Sequence, residues 1–155
     1  MTDKHTIPTD PQALAEAVAT AMWARDRAGQ ALGMRIEAVG PGTATLAMPV
    51  RGDMVNGHHI CHGGLIFTLA DTAFAYACNA YNRNTVASGC SIDFVAPGKE
   101  GDTLTAEAVE RSRSGRTGVY DITVRDGAGK TVALFRGKSY TISGEVIAGL
   151  AAQAA

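Results

Sequence analysis

Segment 65–81 is apolar on nearly every side, and it constrains the fold more than any other stretch of the chain. Its sequence, LIFTLADTAFAYACNAY, contains neither proline nor glycine. A helix that is apolar all round has to lie inside a protein, because none of its faces suits water. The segment therefore predicts a central buried helix that the rest of the chain covers.

The flanking sequence predicts one helix before this segment and antiparallel strands around and after it. Asp10 and Pro11 suit the N-cap and first position of a first helix, and Gly33 suits its end. Alternating apolar residues over 43–50 predict a strand that belongs to a strand pair. Turn sequences then separate four more predicted strands, at 85–95, 103–111, 118–125 and 131–142.

This order of elements predicts an α+β domain in which a curved antiparallel sheet wraps one long central helix, with an extra N-terminal helix. The length of 155 residues fits one domain, so we expect a single domain over 1–155. We expect flexible ends at 1–9 and 143–155. The chain is 46% apolar and 19% charged, which is enough apolar surface for a real core.

The charge and cysteine content exclude several classes of protein. The 14 basic and 15 acidic side chains nearly balance, which disfavours a nucleic-acid binder. Runs of 18 apolar residues are absent from the sequence, so we expect no membrane span. Three cysteines form no disulfide framework, and a polar N-terminus shows no secretory signal. We therefore expect a reducing, cytoplasmic setting.

Four potential metal ligands crowd into five positions, at His58, His59, Cys61 and His62. Zinc sites usually combine two spaced pairs, or a helical histidine pair with a distant acid. Adjacent side chains rarely converge on one ion, so we expect no metal here. Solvated or loop-anchoring histidines are the alternative interpretation of His58 and His59.

Asp71 is the one acidic residue in the apolar segment. A buried carboxylate is costly unless it is paired or used, and pairing with an arginine of the sheet is the structural alternative. Just before the segment, Gly63-Gly64 predicts a helix start whose exposed N–H groups and positive dipole end can polarise a carbonyl. A plain turn into the helix is the alternative for these glycines.

Three short motifs surround these candidates. They are Asn56-Gly57-His58, Cys61-His62-Gly63-Gly64 and Leu69-Ala70-Asp71-Thr72-Ala73. They resemble the motifs of the hotdog-fold thioesterases, specifically the phenylacetyl-CoA thioesterases of phenylacetic acid degradation, and the similarity extends from the first helix to Tyr140.

The resemblance implies a sheet around a long helix and hydrolysis of aryl- or phenylacetyl-CoA thioesters. Coenzyme A is then part of the substrate, and no separate cofactor is needed. The resemblance also implies Asp71 as nucleophile or general base and a carbonyl-polarising amide at Gly63. Asn56, His62 and Thr72 would lie around the thioester.

The spacing of Gly63 and Asp71 adds a geometric constraint. Eight residues on one helix separate two positions by about 12 Å along the axis. An oxyanion donor and an attacking group must each lie within about 3 Å of the same reacting group. Unless the helix breaks, we expect two subunits to share each site, as in a twofold dimer. The resemblance implies sheets joined between subunits and, often, a dimer-of-dimers tetramer.

Substrate-binding candidates are less specific. Arg111, Arg113 and Arg116 fall in one predicted hairpin turn that could hold the phosphates of coenzyme A, although a solvated turn is equally reasonable. Candidates beside the acyl group, each also explained by a turn or by core packing, are Gly64, Leu65, Phe67 and Phe74.

Two other functions remain open at this point. A hotdog dehydratase or hydratase would act on a β-hydroxyacyl thioester and would want a histidine–acid pair for proton transfer. A non-catalytic acyl-CoA-binding module would keep the pocket without the reaction.

Overall fold

The structure is a computed structural model and describes residues 6–148. Within that range it contains three α-helices, one short 3-10 helix and six strands. The helices are α1 (Pro11–Trp23), α2 (Arg27–Ala31) and α3 (Gly63–Asn79), and the 3-10 helix is Gly52–Met54. The strands are β1 (Arg35–Gly40), β2 (Thr43–Pro49), β3 (Thr85–Phe94), β4 (Thr103–Ser114), β5 (Thr117–Arg125) and β6 (Thr131–Thr141).

The six strands form one antiparallel sheet in the order β1-β2-β4-β5-β6-β3. Helix α3 lies against this sheet and contacts every strand of it. The α+β architecture predicted from the sequence is confirmed, including the apolar segment as the central helix. None of the helices described between residues 6 and 148 is long and apolar enough to cross a membrane.

Small residues let α3 lie close to the sheet. Ala70, Ala73 and Ala77 have no exposed surface, so the helix backbone approaches the strands without bulky side chains between them. Phe74 fills the remaining space, with its ring centroid 5.4 Å from that of Tyr120. This close packing fixes where α3 presents its polar residues.

We expect Gly137→Ala to lower the free energy of unfolding by about 1–3 kcal/mol, the usual cost of overpacking a core. A Cβ at Gly137 would lie 2.8 Å from the ring of the buried Phe74. Urea denaturation measures the effect. The matched control is Gly52→Ala, whose Cβ meets only the end of the exposed Glu100 side chain and should change stability by about 0.5 kcal/mol or less. Equal stability of the two variants would contradict the tight contact.

The predicted first helix is two helices, so that prediction is wrong in its extent. The chain leaves α1 after Trp23, and Asp26 begins a new helix by accepting from the backbone N–H of Gly29 at 2.8 Å. A side chain that caps the backbone locally competes with continuing the first helix. The predicted strand pair is confirmed, and its first strand is β1.

Strand β4 is longer than predicted and contains a β-bulge between Glu110 and Ser112. It runs to Ser114 instead of ending at residue 111. A bulge inserts one residue into the alternation, so side chains beyond it change face. Arg111 and Arg113, which ordinary alternation would keep on one face, therefore lie on opposite faces.

Strand β3 lies at the edge of the sheet and carries exposed apolar side chains. Phe94 is 54% exposed, and Val86 is also exposed. Within residues 6–148, β6 is the only strand that pairs with β3. An apolar edge strand is a ready surface for pairing with another chain.

The chain ends predicted to be flexible fall partly outside the described residues, at 1–5 and 149–155. Residues 6–9 form neither helix nor strand. The segment after β6 is held in place, because the Asn82 side chain accepts from the Ile147 N–H at 2.7 Å and donates to the Ile147 carbonyl at 3.0 Å.

Candidate active site

Asp71 lies in the middle of α3 and is half-buried. Burial raises the pKa of its carboxyl above the usual range. Among residues 6–148, no lysine, arginine or histidine forms an ion pair with it. The described residues therefore do not contain the alternative, an ion pair between Asp71 and an arginine of the sheet. A desolvated carboxyl without a cationic partner is a typical general base or nucleophile.

The inner face of β3 lies near Asp71. Burial, and then the charge of Asp71, raise the pKa of the Cys90 thiol on that strand. Burial is also the main cause that raises the pKa of Cys78 to about 12, with a further contribution from Asp71. Both thiols are therefore protonated at neutral pH, which makes them poor nucleophiles beside a carboxylate.

Thr72 and Asp71 line an open groove of about 340 Å³ between α3 and the link from α1 to α2. Met22 and Tyr76 form its apolar walls. The Tyr76 hydroxyl donates to Asp26 at 3.1 Å, and the Thr72 hydroxyl donates to the backbone carbonyl of Thr68 at 2.6 Å. Asp71 therefore lies on the wall of a groove that is open to solvent.

His62 is the N-cap of α3 and decides which amide stays free. Its Nδ1 accepts from the Gly64 N–H at 2.9 Å, and its carbonyl accepts from Leu65 and Ile66. An Nδ1 that accepts is unprotonated, so a neutral His62 carries its proton on Nε2. The Gly63 N–H has no acceptor among the described residues, whereas that of Gly64 is occupied. Gly63 is therefore the amide that can polarise a carbonyl.

Phe94, at the end of β3, packs against Gly63. A Cβ at Gly63 would lie 3.1 Å from the Phe94 ring. The start of α3 is thus joined to the same edge strand whose inner face lies near Asp71. The sequence motifs gave no signal for Phe94, because its contact with Gly63 links residues 31 positions apart.

Asn56 shapes the loop before α3. Its side-chain oxygen accepts from the His58 N–H at 2.9 Å and from the Ile60 N–H at 3.4 Å. His59 is held at φ 61°, a left-handed conformation that costs a non-glycine residue about 1–3 kcal/mol. The loop returns to α3 through the His62 N–H, which donates to Met54 at 2.8 Å. Asn56 is therefore fixed near the helix start, with its side-chain NH₂ left to donate.

The histidine and cysteine cluster does not form a metal-like arrangement. Between residues 6 and 148, no three His, Cys, Asp or Glu side chains come together as ligands of one ion. His58 and His59 are exposed, and Cys61 is buried.

The prediction of three arginines in one hairpin turn is wrong. Arg111 lies on the outer face of β4, where its Nε donates to Asp121 at 3.0 Å. Arg113 lies on the inner face, with its guanidinium 3.6 Å from the centroid of the Tyr81 ring. Only Arg116 follows the strand in the turn. The physical reason is the longer β4 and its bulge, which separate the first two side chains.

Of the acyl-pocket candidates, one lies in the core and two pack partly buried against it. Phe74 is 1% exposed among Tyr120 and Phe135, so core packing explains it. Leu65 is half-buried, and Phe67 packs edge-on to Phe135 at 5.1 Å.

The fold and this arrangement define a class of protein that acts on thioesters. Residues 58–133 match the model of the Thioesterase superfamily. The chain is 52% identical over 128 residues to the acyl-coenzyme A thioesterase PaaI of Escherichia coli (strain K12), covering 83% of this chain and 91% of that protein. The chain belongs to the thioesterase superfamily with the hotdog fold, and it is a thioester hydrolase.

Solved structures agree with this assignment. The E. coli PaaI protein from the phenylacetic acid degradation operon superposes with a TM-score of 0.87 at 50% identity, covering 88% of this chain and 99% of that one. A Streptococcus mutans UA159 protein bound to acetyl CoA superposes with a TM-score of 0.69 at 25% identity, covering 72% of this chain and 90% of that one.

Proposed function

We propose that this thioesterase hydrolyses aryl- or phenylacetyl-CoA thioesters to the free acid and coenzyme A, at sites that two subunits share. The observation that carries the proposal is the pair of groups on α3: the half-buried carboxyl of Asp71, which has no cationic partner among residues 6–148, and the Gly63 amide, which has no acceptor among them. Similarity to PaaI supports the acyl-CoA substrate class and the link to phenylacetic acid.

The continuity of α3 supports a shared site. The helix runs unbroken from Gly63 to Asn79, so Gly63 and Asp71 stay about 12 Å apart along its axis. One thioester carbonyl cannot meet both groups of the same chain. The amide that polarises the carbonyl above Asp71 then comes from a second subunit.

The exposed edge of β3 offers a way to bring the two groups together. Cys90, Ile92 and Phe94 alternate onto the inner face of β3. If two β3 strands pair antiparallel about Ile92, Phe94 of the partner subunit lies opposite Cys90, at the usual distance of about 5 Å between paired side chains. Since Phe94 packs on Gly63 and Cys90 lies near Asp71, this pairing moves Gly63 of the partner subunit toward Asp71.

The reaction follows from this arrangement. The carbonyl oxygen of the thioester accepts from the Gly63 N–H of the partner subunit, at the positive end of its helix. Asp71 removes a proton from water, whose oxygen attacks the carbonyl carbon, or attacks that carbon itself to form an anhydride that water then hydrolyses. In both routes the carbon–sulfur bond breaks, and coenzyme A leaves as a thiolate that takes up a proton.

Three neighbouring side chains complete the proposed site. The loop before α3 supplies two donors, the Asn56 NH₂ and the His62 Nε2–H, and Thr72 follows Asp71 on α3. A dehydratase is less well supported, because Asp71 pairs with no histidine among residues 6–148.

We expect a panel of CoA thioesters to release free thiol, fastest for arylacetyl esters, and the active protein to sediment at two or four times the mass of one chain. A thiol reagent and analytical ultracentrifugation measure the two properties. A change in enoyl absorbance without thiol release would indicate a dehydratase instead. Saturable binding without turnover would indicate a binding module, and a fully active monomer would contradict the shared site. The cytoplasmic setting stays a prediction, supported by three unpaired cysteines.

A further inference from the structure

The groove beside Asp71 has a second wall, which the proposed reaction does not use. It consists of the end of α1 and the link to α2; we call it the α1 wall and define it by Met22, Arg25 and Asp26. We propose that Met22 and Arg25 bind the aryl ring of the acyl group and select it over other acyl groups, with Asp26 as the residue that positions them. The inference rests on the proposed function and names the residues that recognise the acyl part of the substrate.

The groove lies on the side of α3 that faces away from strand β3. Helix α1 packs on β1, and β1 and β3 are the opposite edges of the sheet. In the proposed dimer, Gly63 of the partner subunit approaches Asp71 from the β3 edge. A thioester carbonyl between Asp71 and that amide therefore has its acyl group on the side of the α1 wall.

Ala75 gives the groove its depth. It lies four residues after Asp71, so both residues are on the same face of α3. Its small side chain leaves space beside the carboxyl, and Tyr76 borders that space. The volume of about 340 Å³ is near the lower end of the range of about 300–1,000 Å³ for pockets that hold small molecules. This size suits the single ring of an arylacetyl group better than a long acyl chain.

The two side chains at the front of the α1 wall suit an aromatic ring. Met22 is partly buried against the core, and its thioether is a favourable neighbour for an aromatic ring. Arg25 is exposed, and among residues 6–148 only its Nε has an acceptor, the Ala21 carbonyl at 3.4 Å. A guanidinium is attracted to the face of an aromatic ring, whereas a saturated ring offers no such attraction.

The charge of Arg25 is not neutralised in the described part of the chain. Its guanidinium lies within 4 Å of neither Asp26 nor Asp71. Burial raises the pKa of Asp71, and the charge of Arg25 does not lower it again, so the two charged groups stand apart across the groove. An aryl ring that contacts Arg25 therefore leaves the Asp71 carboxylate free to react.

Asp26 holds the α1 wall against α3. One of its carboxylate oxygens accepts from the Gly29 N–H at 2.8 Å, and the other accepts from the Tyr76 hydroxyl at 3.1 Å. Tyr76 is a buried residue of α3, with 2% of its surface exposed. The Gln30 side chain closes the link by donating to the Trp23 carbonyl at 2.6 Å. A wall that is fixed before binding loses less conformational entropy when a ligand enters.

The first test compares an aromatic ring with a saturated one. We expect Arg25→Gln to lower the ratio of kcat/KM for phenylacetyl-CoA to kcat/KM for cyclohexylacetyl-CoA about two- to fivefold, the size of an exposed cation–π contact. Arg27→Gln is the matched control, because Arg27 is an exposed residue of α2 that does not line the groove. Its ratio should equal that of the unmodified enzyme. An unchanged ratio in Arg25→Gln would overturn the proposal.

The second test compares phenylacetyl-CoA with acetyl-CoA, which has no ring. We expect Met22→Ala to lower the ratio of kcat/KM for the phenylacetyl ester to that for the acetyl ester about tenfold, as expected for lost apolar contacts in a binding pocket. Leu32→Ala, which also truncates a side chain partly buried against the core but outside the groove, should keep the ratio. Equal ratios in the two variants would contradict a contact between Met22 and the ring.

The positioning role of Asp26 is tested through its partner. Tyr76→Phe keeps the ring of Tyr76 but removes the hydroxyl that donates to Asp26. We expect it to lower the ratio of phenylacetyl to acetyl activity about two- to fivefold, because Met22 and Arg25 are then less well fixed. A purely structural role of the hydrogen bond would lower activity on both esters alike and leave the ratio unchanged, which would overturn the positioning role.

Calorimetry with thioethers separates this inference from the proposed function. The phenylethyl and cyclohexylethyl thioethers of coenzyme A have no carbonyl to attack, so their affinities report recognition of the ring alone. We expect Arg25→Gln to shift the ratio of the two affinities about two- to fivefold toward the saturated ring. If that shift occurs and no thioester is hydrolysed, the proposed function fails and the recognition of the ring stands. If thioesters are hydrolysed and neither ratio depends on Arg25, the inference fails and the proposed function stands.

Discussion

We expect Asp71→Asn to lower kcat by about 100-fold or more, the usual effect of losing a positioned acid–base group. The substitution keeps the size of the side chain and its capacity for hydrogen bonds but removes the negative charge. KM should change little, so the variant should hold an intact thioester long enough for crystallography. Near-normal turnover of Asp71→Asn would contradict the mechanism and return Asp71 to a purely structural role.

The same variant should be more stable than the unmodified protein at neutral pH. Burial raises the pKa of Asp71 in the folded state, whereas an aspartate in the unfolded chain has a pKa of about 3.9. At pH values between these two pKa values, the folded chain binds more protons than the unfolded chain does. The free energy of unfolding therefore falls as pH rises. The asparagine side chain of the variant carries no charge and avoids that loss. Thermal denaturation of both proteins should show an advantage for the variant at pH 7 that disappears as pH falls toward the unfolded pKa.

The pH dependence of activity has the opposite sign. Only the ionised form of Asp71 can attack a carbonyl or accept a proton from water. In the unmodified enzyme, kcat/KM should therefore rise with pH through the raised pKa, and the residual activity of Asp71→Asn should lack that rise.

Gly63→Pro should lower kcat by about 10²- to 10³-fold, the usual effect of removing one oxyanion donor. Proline has no N–H, and the first position of a helix accepts it without loss of an internal hydrogen bond. His62 is already extended, at φ −58° and ψ 130°, as a residue before proline prefers to be. The change therefore deletes the free amide, and its added ring carbons crowd only the Phe94 ring.

Gly63→Ala is the steric control, because it adds the same Cβ against the half-exposed ring of Phe94 but keeps the N–H. We expect it to lose less than about tenfold in kcat, since the oxyanion donor remains. Similar losses in the alanine and proline variants would assign the effect to crowding. Mixing Gly63→Pro subunits with Asp71→Asn subunits then tests the shared site, because each mixed dimer contains one complete site and should regain activity that neither parent has.

Local signals made the centre of the protein predictable. The all-apolar segment, the glycines before it and its single carboxylate lie within one continuous stretch, and α3 forms there with His62 as its cap. The break in the first helix had a local signal too, since Asp26 is a good N-cap residue. The apolar residues that recur at helical spacing on both sides of Asp26 predicted one continuous helix instead.

Features that depend on strand partners were not predictable in this way. The bulge in β4 is defined by its register with β5, and no residue type near Glu110 indicates it. Arg83 and Arg116 line one cavity only because the sheet places β3 beside β6. The packing of Phe94 on Gly63 depends on the same arrangement.

Helix α3 carries both halves of the proposed catalytic pair, and this has a genetic consequence. A subunit with a substitution at Asp71 alone still provides its Gly63 amide to an unmodified partner subunit. One of the two sites in such a mixed dimer therefore stays active. A subunit with substitutions at both Asp71 and Gly63 inactivates both sites of a mixed dimer, because one site needs its carboxylate and the other needs its amide. The double lesion therefore also inactivates the healthy subunits with which it pairs, a dominant-negative effect that neither single lesion has.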